Sequence, residues 1–372
     1  MKKIGITGQS GFIGKHLFNT LGLFPGKFET IGFNNFFFEK EDILDAFVAK
    51  CDVIVHLAGV NRHNEPDVIY NTNVDLTKKL ISSFKRTNSK AHIIFSSSTQ
   101  EDKDNMYGKS KKEARALLND WANDNNGSFT GMIIPNVFGS FGNPYYNSVV
   151  ATFCHQLTNG EATKIDVDGE LKLIYVGELV GEMIRVINEK RAVFSYEVPH
   201  TSVVKVSEIL KLLEGYKIDY LQSGIIPAIN NTFELNLFNT FRSYIDVKKR
   251  YPIKFANYSD VRGSFSEIIR LNIGGQVSFS TTFPGTTRGN HFHTRKIERF
   301  AVIKGKALIQ LRRISTDEVM DFYLSGDEPS YVDMPIWYTH NIKNIGNDEL
   351  YTIFWINEFY NSEDPDTYFE TV

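Results

Sequence analysis

Near its start the chain reads Thr7-Gly8-Gln9-Ser10-Gly11-Phe12-Ile13-Gly14, with glycines spaced three apart between a short apolar run, Lys2–Thr7, and an amphipathic stretch, Phe12–Leu23. A buried strand that turns straight into a helix leaves little room for side chains. The helix N-terminus held against such a turn offers free amides and a positive dipole to a pyrophosphate. A glycine triplet alone fits any tight turn. Its place after the first strand and before a helix favours a nucleotide-binding turn.

The segments that follow agree. Glu29–Phe33 reads as a second strand, and Asp52–Ala58 as an inner parallel strand, apolar and rich in β-branched residues. His92–Ser97 and Phe129–Pro135 are further apolar runs, alternating with helical segments such as Tyr107–Asn123. Strands alternating with helices predict an α/β Rossmann-type, doubly wound parallel sheet. After Asp260 the texture changes: short strands are broken at Gly274-Gly275, Pro284-Gly285, Gly305 and Gly326, which predicts a small antiparallel barrel or jelly roll. The polar, basic stretch Ser243–Tyr258 reads as the connection. The expected division is therefore a nucleotide-binding domain over 1–243, a linker over 244–251 and an all-β domain over 252–372. A chain of 372 residues suits two cores better than one.

Composition excludes several classes. A formal net charge of −3 gives no electrostatic reason to expect nucleic acid or an anionic membrane as partner. Two cysteines, Cys51 and Cys154, cannot build a disulfide framework. The apolar run after Lys2-Lys3 is cut at Thr7-Gly8, and no stretch is long enough to span a bilayer, so the expected location is the cytoplasm.

Tyr107-x-x-x-Lys111 carries the first chemistry. Residues four apart on a helix share a face, so the Lys111 ammonium is expected beside the Tyr107 hydroxyl, lowering its pKa. A tyrosine tuned in this way delivers a proton to a carbonyl oxygen as hydride arrives. The run Ser96-Ser97-Ser98-Thr99, just upstream, supplies a hydroxyl to hold that carbonyl.

The G-x-x-G-x-x-G spacing, the serine run and Y-x-x-x-K, in this order, resemble the extended short-chain dehydrogenase/reductase family. The resemblance implies an NAD(P)-dependent enzyme whose cofactor meets Gly8, Gly11, Phe12, Ile13 and Gly14 at the turn. It also implies a small-residue floor at Leu57, Ala58 and Gly59, an adenine-edge contact at Asp42 and Ile43, and Ser98 as the catalytic serine beside Tyr107 and Lys111. NAD sites usually end the second strand with an acid. Here Phe33-Asn34-Asn35 has none, and Lys15 is placed to meet a 2′-phosphate, so NADPH is the expected cofactor.

In the second half, Gly285-x5-His291-x-His293-x4-Glu298-x6-Gly305 and Pro335-x-Trp337-x2-His340-x3-Asn344 resemble the two cupin signatures. One departure is Trp337, which stands at a glycine position and is expected to crowd His340. His291 and His293 alternate along a strand and point one way. With Glu298 and His340 they form a ligand set for one divalent metal, zinc first, with iron, manganese or nickel as alternatives.

A reductase fused to a C-terminal cupin resembles the bifunctional capsular-polysaccharide enzymes that epimerise C3 and reduce C4 of UDP-2-acetamido-2,6-dideoxy-4-hexulose. The likeness runs through His56–Arg62, Pro135-Asn136, Tyr146–Val149, Asp260-x-Arg262-Gly263-Ser264-Phe265, Gly289–His291, Tyr338–Asn341 and Pro365–Phe369. It implies a UDP-amino-sugar substrate held by Asn61, Arg62, Asn136 and Asn147, a product UDP-2-acetamido-2,6-dideoxy-L-talose, and a homodimer. Tyr338 and Lys296 are the candidate bases for epimerisation, each also readable as a solvated side chain. Two rivals stand beside this reading: a UDP-sugar reductase with a structural cupin, and a non-catalytic NADPH-sensing binding protein.

Overall fold

The computed structural model describes residues 1–190, 192–261 and 263–372; Arg262, within one of the matched stretches, lies outside the described residues. Strand and helix alternate through β1 (Lys2–Thr7), α1 (Phe12–Gly22), β2 (Phe28–Ile31), α2 (Glu41–Val48), β3 (Val53–His56), α3 (Pro66–Thr87), β4 (His92–Ser98), α4 (Met106–Asp124) and β5 (Ser128–Ile134). They continue through β6 (Asn136–Phe138), α5 (Val149–Thr158), β7 (Glu170–Tyr175), α6 (Val176–Glu189), β8 (Val193–Glu197) and β9 (Ser202–Lys205). Met1–Thr152 and Asp166–Val206 form one compact unit.

Its main sheet is parallel, in the order β2-β1-β3-β4-β5-β8. The strands are apolar on both faces because helices cover both. Ile4, Ile6, Val53, Val55 and Ile94 pack with Leu17 and Leu21 of α1 and Leu179 and Met183 of α6. Ile54, Ile93 and Phe95 pack with Leu44, Phe84 and Leu118 of α2, α3 and α4. β1 lies between β2 and β3, so the chain leaves it to one side and returns on the other. That reversal opens a crevice at the carboxyl ends of β1 and β3, where doubly wound sheets bind ligands.

Phe153–Ile165 and Ser207–Val372 form the second unit. It holds α7 (Val206–Tyr216), α8 (Thr232–Arg242), α9 (Val247–Arg250), β10 (Ile253–Lys254), β11 (Asn257–Asp260), β12 (Gly263–Ser266), β13 (Gln276–Thr282) and β14 (Thr287–Phe292). β15 (Glu298–Lys304), β16 (Lys306–Arg313), β17 (Val319–Ser325), β18 (Ser330–Met334), β19 (Tyr338–Asn344), β20 (Leu350–Ile356) and β21 (Tyr368–Phe369) complete it. Two antiparallel five-stranded sheets, β10-β18-β15-β20-β13 and β17-β16-β19-β14-β21, share a core that includes Phe300, Val302, Ile309, Leu311 and Ile342. The expected all-β C-terminal architecture is present. Among the described residues no helix is long and apolar enough to cross a membrane.

The structure differs from the expected division at 243. Ser207–Arg250 groups with the C-terminal unit, because buried polar contacts tie it to the barrel. Tyr220 donates to Asp333 Oδ2 at 2.6 Å, and Arg242 Nη2 donates to the Met334 carbonyl at 2.8 Å. Nor is 244–251 a free linker: Asp246 caps α9, while Val247 and Tyr251 sit in the barrel's apolar cluster. Asp333 also takes both arms of Arg299, Nε to Oδ1 at 2.7 Å and Nη2 to Oδ2 at 3.0 Å, fully buried. Burial alone would raise the Asp333 carboxyl; the Arg299 charge overrides this and holds it below its ordinary 3.8. Asp333→Ala strands a buried guanidinium and is expected to cost about 3–5 kcal/mol. Urea unfolding of the full chain measures this. Because the folded carboxyl is depressed, the contribution is present above about pH 4 and disappears as pH falls.

Candidate functional site

The turn after β1 is built by close approach. Gly8 has φ +74°, and a Cβ there would lie 2.8 Å from Ala58 N; one on Gly14 would lie 2.3 Å from the Gly8 carbonyl. Gly11 caps α1 with no side chain, leaving the first helical amides for a ligand. Below the turn, Thr7 Oγ1 bonds His56 Nδ1 at 2.6 Å. Burial, then the Lys111 charge, push that imidazole down to about 3, so it is a neutral core residue.

A cavity of about 560 Å³ opens above the sheet at this point. Its walls bring together Gly8, Gly11, Phe12, Ile13 and Gly14 from the turn, Leu57, Gly59 and Asn61 beyond β3, and Ser98, Tyr107 and Lys111. Asn136 and Asn147 complete the predicted residues found there, and Gln100, Asn143 and Tyr146 join them unforeseen. Lys15, Asp42, Ile43, Ala58 and Arg62 are not in the lining. Ala58 packs against the apolar cluster below, Lys15 and Asp42 are exposed, and Ile43 sits in the first turn of α2. The Arg62 guanidinium is engaged elsewhere, donating to the Tyr145 and Tyr146 carbonyls at 2.6 and 2.8 Å. It holds the loop that carries Asn147. Asn34, three residues past β2, caps a short 3₁₀ turn by accepting from Phe36 N.

Three serines end β4 with three roles. Ser96 Oγ donates to the His56 carbonyl at 3.1 Å, and Ser97 donates to Glu101. Ser98 accepts from Gln100 N at 3.2 Å and hydrogen-bonds Tyr107. Lys111 Nζ lies 4.8 Å from the Phe95 ring centre and 5.8 Å from that of Tyr107. The expectation that Lys111 depresses Tyr107 is not met. Burial dominates and pushes Tyr107 up to about 12, against the lowering by Ser98, and burial likewise pulls Lys111 down to about 8.

The second cluster lies in the barrel. Candidate ligand atoms of His291, His293, Glu298 and His340 all lie within 4.8 Å of one another. β14 carries His291 and His293 follows its last residue, β15 opens with the glutamate and β19 carries the third histidine. Glu298 Oε2 is 3.2 Å from His293 Nε2 and 3.1 Å from His340 Nε2. Burial raises the Glu298 carboxyl, but the two imidazoles outweigh it and hold the group far below its usual range. A buried carboxylate so placed needs a positive charge beside it. His293 Nδ1 donates to the Asp366 carbonyl at 2.5 Å, so the neutral ring presents Nε2 as its lone-pair donor. His340 Nε2 is buried without an aligned hydrogen bond. Three imidazoles and one carboxylate in this state fit a divalent ion.

Trp337 does not crowd His340. Its φ of +62° explains why glycine suits the position, and its ring stacks on Phe292, 5.6 Å between centres. Phe292 alternates with His291 and His293, so the indole lies on the opposite face of β14. Of the two candidate bases, Lys296 is buried and donates to the Pro365 carbonyl at 2.6 Å. Tyr338 shares a face of β19 with His340, and burial raises its pKa.

Residues 4–199 match the family described as NAD dependent epimerase/dehydratase. The chain belongs to that family. Residues 258–368 match the polysaccharide biosynthesis C-terminal domain. A curated protein of Pseudomonas aeruginosa, UDP-2-acetamido-2,6-beta-L-arabino-hexul-4-ose reductase, is 31% identical over 368 residues, 98% of each chain. The crystal structure of the capsular polysaccharide assembling protein CapF from Staphylococcus aureus is 35% identical, with full coverage of both chains and a TM-score of 0.64. A structure of RMD from Pseudomonas aeruginosa complexed with NADPH, 19% identical over 59% of this chain and 83% of its own, has a TM-score of 0.53 and shows the shared fold.

Two supports of this epimerase/dehydratase site escape sequence reading. Asn73 of α3 brackets Val60, accepting from its N–H at 2.7 Å and donating to its carbonyl at 2.8 Å. Glu101 joins Ser97 to Arg115 of α4, whose Nε lies 2.9 Å from Oε1. Both are polar residues buried on helix or turn faces, a signal that is visible only once the faces are known. Gly8→Ala introduces a left-handed alanine against the Ala58 backbone, a strain of about 1–3 kcal/mol. Fluorescence titration with NADPH is expected to show binding weakened at least about tenfold.

Proposed function

We propose that the chain is a two-site UDP-sugar enzyme. In this reading the C-terminal cluster holds one divalent ion, zinc, and epimerises C3 of UDP-2-acetamido-2,6-dideoxy-4-hexulose. The N-terminal cavity then reduces the C4 ketone with NADPH, giving UDP-2-acetamido-2,6-dideoxy-L-talose for a surface polysaccharide. The observation that carries it is the convergence of Ser98, Tyr107 and Lys111 with the glycine turn on one cavity. The full-length likeness to a curated UDP-keto-sugar reductase supports the substrate class. A homodimer belongs to the same reading.

NADPH bound against the α1 N-terminus supplies the hydride. Tyr107, protonated at neutral pH, gives its proton to the C4 oxygen, and the Ser98 hydroxyl holds that oxygen. Lys111 offsets the charge left on Tyr107, and it does so only while protonated. Its folded pKa is lowered to about 8, so the charge is present below that pH and lost above it. In the barrel, an ion held by His291, His293, Glu298 and His340 supplies Lewis acidity toward the 4-ketone, whose neighbouring C3–H is already acidified. Tyr338, on the His340 face, is the proton-transfer group of this reading.

Four outcomes test it. Tyr107→Phe is expected to lower ketone-dependent NADPH oxidation by about 10²–10⁴-fold. Wild-type turnover is expected to fall as pH rises through about 8, with Lys111→Arg moving that limb upward. NMR of the UDP-4-keto sugar in deuterated water without NADPH is expected to show exchange at C3, retained in Tyr107→Phe and lost in His291→Ala/His293→Ala. Exchange persisting in a folded, metal-free double variant would leave the C-terminal domain as scaffold. NADPH is expected to outperform NADH, with Lys15→Ala narrowing the gap.

A further inference from the structure

The turn that joins two of the candidate metal ligands, His293 and Glu298, is held by a residue seventy positions away. Asp366 lies just before β21, whose Phe369 and Tyr368 pair with His291 and Phe292 of β14. Its carboxylate accepts four hydrogen bonds from three consecutive residues. Oδ1 takes Thr294 N at 3.0 Å and Thr294 Oγ1 at 2.7 Å, and Oδ2 takes Arg295 N and Lys296 N, each at 3.0 Å. Its own carbonyl takes the His293 Nδ1 proton. The residue is 2% exposed and has φ +38°, a left-handed conformation that this bonding pattern maintains.

We propose that Asp366 is the positioning residue of the metal centre, fixing the His293 tautomer and the His293–Glu298 turn so that both ligands face one point. The inference rests on the metal reading given above. A carboxylate saturated by four donors has no lone pair facing the cluster for coordination or proton transfer, so its effect passes through the residues that it holds. Three amides and one hydroxyl pinned to one side chain fix the turn's backbone. The carbonyl of the same residue then selects the imidazole tautomer with Nε2 free, the atom that lies beside Glu298. The neighbouring Pro365 carbonyl takes Lys296 Nζ, and Arg295 bonds Glu358 and Asp364, so the segment is anchored before Asp366 by these bonds and after it by the pairing of β21 with β14.

The test uses full-length protein stripped of metal and titrated with Zn²⁺ against a chelator, then with Co²⁺ to read its visible ligand-field bands. Asp366→Ala is expected to weaken Zn²⁺ binding by about 10–100-fold and to shift the Co²⁺ bands. Asp366→Asn, which keeps one acceptor oxygen and the size of the side chain, is expected to show a smaller loss in the same direction, and it decides the matter if the alanine variant does not fold. Arg312→Ala is the control: it frees the same tail where Arg312 holds Glu370 and the Thr371 carbonyl, and it should leave both readouts unchanged. Wild-type affinity and bands in folded Asp366→Asn and Asp366→Ala overturn the inference while the metal centre stands. An equal loss in Arg312→Ala overturns it in favour of general tail docking. A wild-type protein that binds neither ion overturns the metal centre and this inference together.

Discussion

In each unit a buried arginine–carboxylate pair fixes the register on which the chemistry depends. Arg299 and Asp333 face each other across β15 and β18, and their neighbours Glu298 and Met334 are the next pair in that register. A slip of one residue would turn Glu298 out of the barrel and Arg299 into it. The charged pair penalises that slip heavily, because either partner would then be buried alone. Arg115 and Glu101 act similarly in the N-terminal unit. Glu101 holds Ser97 on one side and Arg115, midway along α4, on the other, which ties the end of β4 to that helix. Ser98 adjoins Ser97, and Tyr107 lies in the first turn of the same helix. Compared with well-packed apolar residues such pairs add little stability; what they supply is alignment.

The features legible in the sequence are those whose meaning lies in spacing along one element. Glycines three apart, Y-x-x-x-K on a helix and H-x-H on a strand each name a face as soon as the element is known. Tertiary partners leave no such mark. Asn73, Glu101 and Asp366 look like ordinary polar residues until the structure buries them. Arg62 reads as a substrate contact because it adjoins Asn61, yet its guanidinium is engaged by two loop carbonyls. The stretch 243–258 reads as a linker because Lys248, Lys249 and Arg250 dominate its composition. In the fold a single helical turn directs Val247 and Tyr251 inward between those charges.

Electrostatic direction was the other illegible quantity. From spacing alone, Lys111 beside Tyr107 implies a lowered tyrosine pKa. Burial changes the balance: it disfavours the charged form of both groups, raising the phenol to about 12 and lowering the ammonium to about 8. Helical spacing reports proximity and says nothing of desolvation, which depends on what the rest of the fold covers. Phe95, on β4, shows the effect from the other side. It places a ring 4.8 Å from the Lys111 ammonium, a contact that favours the charged form while helping to exclude the water that would also favour it.

The two sites are built by opposite strategies. The N-terminal cavity is assembled mainly at and beyond strand ends: the turn after β1, the segment after β3, the end of β4 with the helix that follows it, and the stretch from Asn136 to Asn147. Such a site accommodates a large ligand, and its shape depends on clamps such as Arg62 and Asn73. The barrel cluster instead takes three of its ligands from the strands themselves and His293 from the residue after β14, and strands hold side-chain directions more tightly than loops do. Glu298 is the exception in kind, since it opens β15 directly after a turn, and the angle at which it enters is set by that turn's backbone. A metal centre tolerates little error in such an angle, because all of its ligands must point at one atom. The weakest geometric link in the cluster is therefore the segment 294–297, and that is the segment on which the Asp366 carboxylate spends all four of its hydrogen bonds.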